Sequence, residues 1–170
     1  GSILVNLGGS PGNPVRGLIP SPLHLMDTPA NSSSEFRKKV LDTKFAVDAK
    51  VDVRVLSVDH AKKKCIVTAK KSLVKSEQDH IVTSYEDLQV GQIATGFVSK
   101  LDDRAVYVTF YNRVYGKVTT KSLASELGIE NHRENYHVGD VVTCRIVKIS
   151  KSTKGRAGIV ADDGGEEDEE

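Results

Sequence analysis

The sequence predicts an all-β protein of two tandem five-stranded β-barrels, the first lacking its opening strand, followed by a disordered acidic tail. Three observations predict it: an internal repeat, short runs of alternating apolar and polar residues, and glycine-bearing turns between those runs. The repeat is direct. Phe45 to Asp59 matches Tyr136 to Ser150 at an offset of 91, with the aromatic, the first Val, the Arg and the closing apolar pattern in common. Val15-Arg-Gly17 matches Val114-Tyr-Gly116 at an offset of 99. The difference of 8 falls in Met26 to Lys44, rich in Ser, Asn, Thr and Pro, which reads as a longer loop in the first copy.

In the first copy, residues 1–75, strands are expected at Ile3–Leu7, Val15–Ile19, Val51–Val58 and Cys65–Ala69. A polar stretch running from about Lys70 to Gln89 supplies the linker, residues 76–89. The second copy, residues 90–161, opens with Ile93–Leu101, where Gly96 suits a bulge in a bent strand. Ala105-Val-Tyr-Val-Thr-Phe110 alternates strictly, the mark of a half-buried strand. The turn Tyr111-Asn-Arg113 leads to Val114–Val118. Lys121 to Leu127 forms a helical turn stopped by Gly128. Strands at Val141–Ile149 and Ala157–Ala161 complete the copy. Five strands with a short helix between the third and fourth is the order of an oligonucleotide-binding (OB) fold. Strand two of the copies aligns at an offset of 103, setting Ser2 against Ala105. The counterpart of Gly91–Leu101 therefore falls before residue 1, and the first barrel is expected as an open, four-stranded remnant with Ile3–Leu7 paired on one side only.

The 170 residues are 38% hydrophobic, enough for small cores but not for one large one. Net charge is +1, unevenly placed. Residues 162–170 hold seven acidic groups, and without them 24 Lys and Arg face 16 Asp and Glu, a body of +8. A basic body points to a polyanionic partner. The acidic run cannot bury apolar surface and reads as a solvating tail or linker. Cys65 and Cys144 sit in apolar strand-like runs without CxxC spacing, so both read as small buried hydrophobes in a reducing compartment. No apolar run approaches the ~18 residues that a membrane span needs. Five scattered His show no paired ligand spacing, and no Walker loop, nucleophile elbow or HExxH is present. No metal, cofactor, small-molecule substrate or catalytic constellation is expected.

Three features of the second copy carry a resemblance. They are the glycine-bearing strand Gly91-Gln-Ile-Ala-Thr-Gly-Phe-Val98, the strand–turn–strand Tyr107 to Gly116, and Val138-Gly-Asp140 before the fourth strand. Together they resemble the S1 RNA-binding domain, an OB-fold type. Two further motifs, Lys70-Lys-Ser-Leu73 and Tyr85-Glu-Asp-Leu88, are similar to the strand end and linker recurring between repeats of the ribosomal-RNA-processing protein five family, called programmed-cell-death protein eleven in animals. That resemblance implies a non-catalytic, nucleolar protein that binds single-stranded pre-ribosomal RNA during small-subunit maturation, alongside other ribosome-assembly proteins. It also implies that this chain is an excerpt of a many-repeat protein.

Alternation puts Val106, Val108 and Phe110 on one face and Tyr107 and Thr109 on the other. In strand three, Tyr115, Lys117 and Thr119 point outward. OB folds bind single strands on this strand two–three face, where aromatics stack on bases and cations track the backbone. The expected RNA contacts are Phe97, Arg104, Tyr107, Arg113, Tyr115, Lys117 and Thr119, with Lys148, Lys151 and Lys154 from the last hairpin. Arg16 and the run Lys62, Lys63 and Lys64 are the first copy's counterparts. For Tyr107 a base-stacking role stands beside that of an ordinary exposed strand tyrosine, and Lys62 to Lys64 also suits a solubilising hairpin turn. RNA-binding S1 domains usually place aromatics at the positions of Arg104 and Tyr107, a His at that of Thr119 and an Asp at that of Ser150; only Tyr107 survives in kind. The first copy has Leu4 at the Tyr107 position and Pro20 at the His position, and keeps Asp59. These departures leave a second reading open: repeats that contact assembly proteins and touch little RNA.

Overall fold

A computed structural model describes residues 2–27, 32–151 and 157–160, the last four and Lys151 by their backbone. The acidic tail lies outside these residues. Among the described residues ten strands form two sheets. The first contains β1 (Ser2–Ser10), β2 (Asn13–Pro20), β3 (Arg54–Asp59) and β4 (Lys64–Thr68), in the order β1-β2-β4-β3. The second contains β5 (Ile93–Leu101), β6 (Ala105–Thr109), β7 (Tyr115–Thr119), β8 (Val141–Arg145), β9 (Ile149–Lys151) and β10 (Ala157–Val160), in the order β8-β5-β6-β7-β10-β9. Its outer strands β8 and β9 are consecutive in the chain, so the fourth strand read from the sequence is in fact broken at residues 146–148.

The strand registers reproduce the repeat. Leu4 pairs with Leu18 and Asn6 with Arg16 in the first sheet; Tyr107 pairs with Lys117 and Thr109 with Tyr115 in the second. These are the same pairs at offsets 103 and 99. Likewise Val58 pairs with Cys65, and Ile149 with Ile159. In both sheets the third strand of the fold runs parallel to the fifth, β2 to β4 and β7 to β10. The turn before the fourth strand repeats too, with Asp48 at φ 67 where Gly139 has φ 99. In the second sheet β5 lies between β6 and β8; in the first, β1 pairs only with β2 among the described residues.

Each core follows the alternation. Val98, Val106, Val108, Phe110 and Val114 are buried together with Leu123 of α3 (Thr120–Leu127) and Ile146. Cys144 packs at the edge of this cluster, and its burial pushes the thiol up to about 11. In the first sheet Ile19, Leu25 and Val67 form the core, with Ile3, Val5, Leu7 and Cys65 packed against it. Helix α3 starts where the Thr119 hydroxyl accepts the Ser122 amide and ends on Gly128 at φ 66.

Three expectations are corrected. The segment read as a long loop contains α1 (Ser34–Lys44), capped by Ser33 and burying Val40, in the position α3 holds in the second copy. Gly96 is not the bulge: the register shift in β5 falls between Val98 and Lys100. A Cβ at Gly96 would lie 2.6 Å from the Thr109 carbonyl oxygen, so this strand needs glycine for close approach. The segment from Lys70 to Gln89 is not a free linker, since it forms the short helix α2 (Lys71–Val74) and buries Lys70, Leu73, Val82 and Leu88.

Candidate nucleic-acid interface

The outward face of β6 and β7 is built by their pairing. Tyr107 lies opposite Lys117, Thr109 opposite Tyr115, and Ala105 opposite Thr119. Side chains paired across an antiparallel ladder share a face, so Tyr107, Lys117, Tyr115 and Thr119 stand together as the alternation requires. Tyr115 is 46% exposed. Its amide donates to the Tyr85 hydroxyl at 2.8 Å, which ties the Tyr-Glu-Asp-Leu motif to the edge of this face. Thr119 is half-buried and spends its oxygen on the helix cap.

Tyr107 is held from two sides by residues the sequence reading did not single out. The Lys100 ammonium sits 5.2 Å from its ring centroid, a cation–π distance. Its hydroxyl bonds the Asp102 carboxylate, which raises the phenol's pKa. Asp102 is itself fixed, accepting the Arg104 amide at 2.9 Å and the Ala105 amide at 2.8 Å. The Arg104 amide first, then the Tyr107 hydroxyl and the Ala105 amide, hold its carboxyl below the usual range. The His132 Nε2 donates to the Asp102 carbonyl at 2.6 Å from α4 (His132–Asn135). The ring is therefore held at its hydroxyl and by Lys100 and is partly exposed, while Arg104 is exposed on the adjoining turn. The signal for this arrangement was Asp102 two residues before Arg104, a side chain that caps its own turn.

The other expected contacts divide. Arg16 is exposed on β2 opposite Asn6, and Lys62, Lys63 and Lys64 are exposed in the β3–β4 turn. Lys148 is exposed on the connection between β8 and β9, Lys151 ends β9, and Lys154 lies outside the described residues. Phe97 is corrected: it is buried, with its ring edge-on to His24 at 4.6 Å and packed with Leu56, Leu73 and Tyr111. Arg113 is engaged as well, 3.6 Å from Asp59 of the first copy. Both residues point outward from the second copy, but toward the first copy.

The contact between the copies is closed by polar groups. The Lys70 ammonium donates to the Gly139 carbonyl at 2.5 Å, and the Tyr111 hydroxyl donates to the Leu73 carbonyl at 3.2 Å. Burial pulls the Lys70 pKa down, against the opposing pull of Asp27 and Asp140. The Lys-Lys-Ser-Leu and Val-Gly-Asp motifs thus meet at one junction. Among the described residues, no cluster of His, Cys, Asp or Glu could hold a metal, and no helix is long and apolar enough to cross a membrane.

Comparison with known proteins agrees with this geometry. Residues 87–157 match the S1 RNA binding domain. The chain is 36% identical to the rRNA biogenesis protein RRP5 of Arabidopsis thaliana over 74% of its length. It is 31% identical to the human RRP5 homolog over 83%, and 30% identical to rrp5 of Schizosaccharomyces pombe over 66%. It spans only 6–7% of the length of these relatives. The resemblance read from the motifs therefore holds: the chain carries an S1 domain of the OB type and is a relative of the RRP5 proteins.

Proposed function

We propose, from the S1 domain at residues 87–157 and the RRP5 relatives as premise, that this chain is an RNA-binding module of a ribosome-biogenesis factor. In this reading it contacts single-stranded pre-ribosomal RNA during small-subunit rRNA processing and assembly, in the nucleolus and beside other assembly proteins. One observation carries the proposal: Tyr107, held by Asp102 and flanked by Lys100, faces outward opposite Lys117. A base stacks on the ring while Lys117 and Arg104 meet the phosphates. The two copies then read as tandem OB units whose weak individual sites add through avidity in a many-repeat protein.

The second reading, an interaction scaffold with little RNA contact, is favoured by the use of Phe97 and Arg113 in the junction between the copies. Titration of the chain with labelled single-stranded RNA at two salt concentrations separates the readings. RNA binding requires log K to fall with log salt at about −0.7 per phosphate contact. An affinity independent of salt, or no binding at low salt, leaves the scaffold.

A further inference from the structure

We infer that the groove between the two copies is a second RNA-contacting site, in which Arg54 seats a backbone phosphate. The inference rests on the RNA-binding reading above and extends it to a surface that neither copy forms alone. The groove encloses about 570 Å³ and is lined by Arg54, Ser57 and His60 of the first copy, Gln78 and Thr83 of the linking segment, and Asn112 of the second. Leu56 and Tyr111, both buried, form its floor.

Two observations point to an anion. The first is Arg54 Nη1, which is buried and has no hydrogen-bond partner among the described residues. Arg54 pairs with Thr68 in the ladder, on the face of the sheet opposite the core residue Val67, and so faces the second copy. A guanidinium cannot shed its proton, so a buried N–H without an acceptor is costly until one meets it, and a charged oxygen makes the strongest such bond. Phosphate oxygens match its donor fork. The second is the shape of the rim and the basic run beside it. Asp59, next to the lining residues Val58 and His60, is already paired with Arg113, while the exposed Glu77 and Asp79 flank Gln78 on the linking segment. Lys62, Lys63 and Lys64 follow in the next turn, all exposed. Asn112 and Arg113 both hold left-handed conformations, at φ 50 and 62. Arg rarely adopts this geometry, and such strain persists where the surroundings fix it. Here Asn112 Nδ2 donates to the Thr83 carbonyl at 3.2 Å, and Arg113 is held by Asp59. The turn between β6 and β7 is thereby fixed as one wall of the groove.

The test uses the whole chain and a 5′-labelled mixed-sequence single-stranded RNA, read by fluorescence anisotropy at two salt concentrations. Arg54→Met keeps the aliphatic stem and removes the fork. It is expected to weaken binding about tenfold and to lower the salt slope by about 0.7, with Arg54→Lys intermediate. Parent-like affinity and slope in Arg54→Met overturn the inference. If in that case Tyr107→Ala still weakens binding, only the groove fails; if the parent binds no RNA at all, the RNA reading fails with it. Should Arg54→Met unfold, cross-linking the parent to 4-thiouridine RNA decides. Adducts on residues 54–60, 78–83 or 111–113 support the groove, and adducts confined to β6 and β7 overturn it.

Discussion

The Lys70 ammonium donates to the Gly139 carbonyl across the junction between the two copies, with the lysine side chain 1% exposed. A fully buried lysine whose acceptor lies 69 residues away in the chain ties the two copies to each other. Gly139 is matched to this seat, because at φ 99 a Cβ would lie 2.9 Å from Leu23 Cδ1. Lys70→Ala is expected to lower stability by about 2–4 kcal/mol through lost contacts and an unmet carbonyl. Lys70→Met is expected to cost much less, since it fills the space without burying a charge. Urea unfolding of both variants checks this; a loss under about 0.5 kcal/mol for Lys70→Ala defeats it.

The same junction makes stability depend on pH. His24 is buried between Thr68, the Phe97 ring and Lys70, and its pKa is lowered to about 4, first by burial and then by the Lys70 charge. In the unfolded chain it titrates near 6.5. Between these values the unfolded chain binds a proton that the folded chain does not. The contribution is therefore complete above pH 6.5 and is lost as pH falls toward 4. Going from pH 7.5 to 5 should cost about 2 kcal/mol. Asp59 and Asp102, whose pKa values are lowered from 3.8, act below this window. His24→Gln should flatten the dependence, and a parent equally stable at pH 7.5 and pH 5 contradicts the assignment.

Local alternation was legible: the buried Val106, Val108 and Phe110 and the outward Tyr107 and Thr109 follow from a period of two. The registers of both sheets were implicit in the three repeat offsets. Contacts between the copies were not legible. An outward aromatic such as Phe97 has the same strand register whether it meets a base or a neighbouring domain, and a lysine such as Lys70 is almost always exposed. Helix α1 was hidden by its polar composition, although Ser33 before Phe36, Val40 and Leu41 is a cap followed by helical spacing.

Tyr107→Ala is expected to weaken single-stranded RNA binding by on the order of 1–3 kcal/mol, the worth of one stacked base. Because Tyr107 is outside the core cluster, melting should change little. Tyr107→Phe keeps the ring and should keep most of the affinity, which separates stacking from the hydroxyl's bond to Asp102. Lys117→Ala should weaken all sequences alike, as loss of a phosphate contact does. RNA titrations of the three variants test this, and parent-like binding by Tyr107→Ala removes the stacking role.

The two second strands differ in one physical respect that hydrogen exchange can read. β6 is paired on both sides, with β5 and β7. β1 pairs with β2 alone among the described residues. Alternate β1 amides therefore point away from the ladder, and the exposed Leu4 at 57% and Val15 at 54% offer that end of the sheet little cover. On the open side of the same sheet Val55 and Val58 are 45% and 44% exposed, although their ladder partners are the core residue Val67 and Cys65, which packs against that core. An edge strand with one neighbour opens locally without global unfolding, whereas a central strand needs most of its sheet to open. In this chain the β1 amides directed away from β2 should exchange roughly 100-fold faster than those of β6. Amide-resolved exchange by NMR measures both strands in one sample. Equal protection of β1 and β6 would mean that β1 has a second strand neighbour in solution, such as another copy of the chain, and sedimentation at two concentrations would then detect that association.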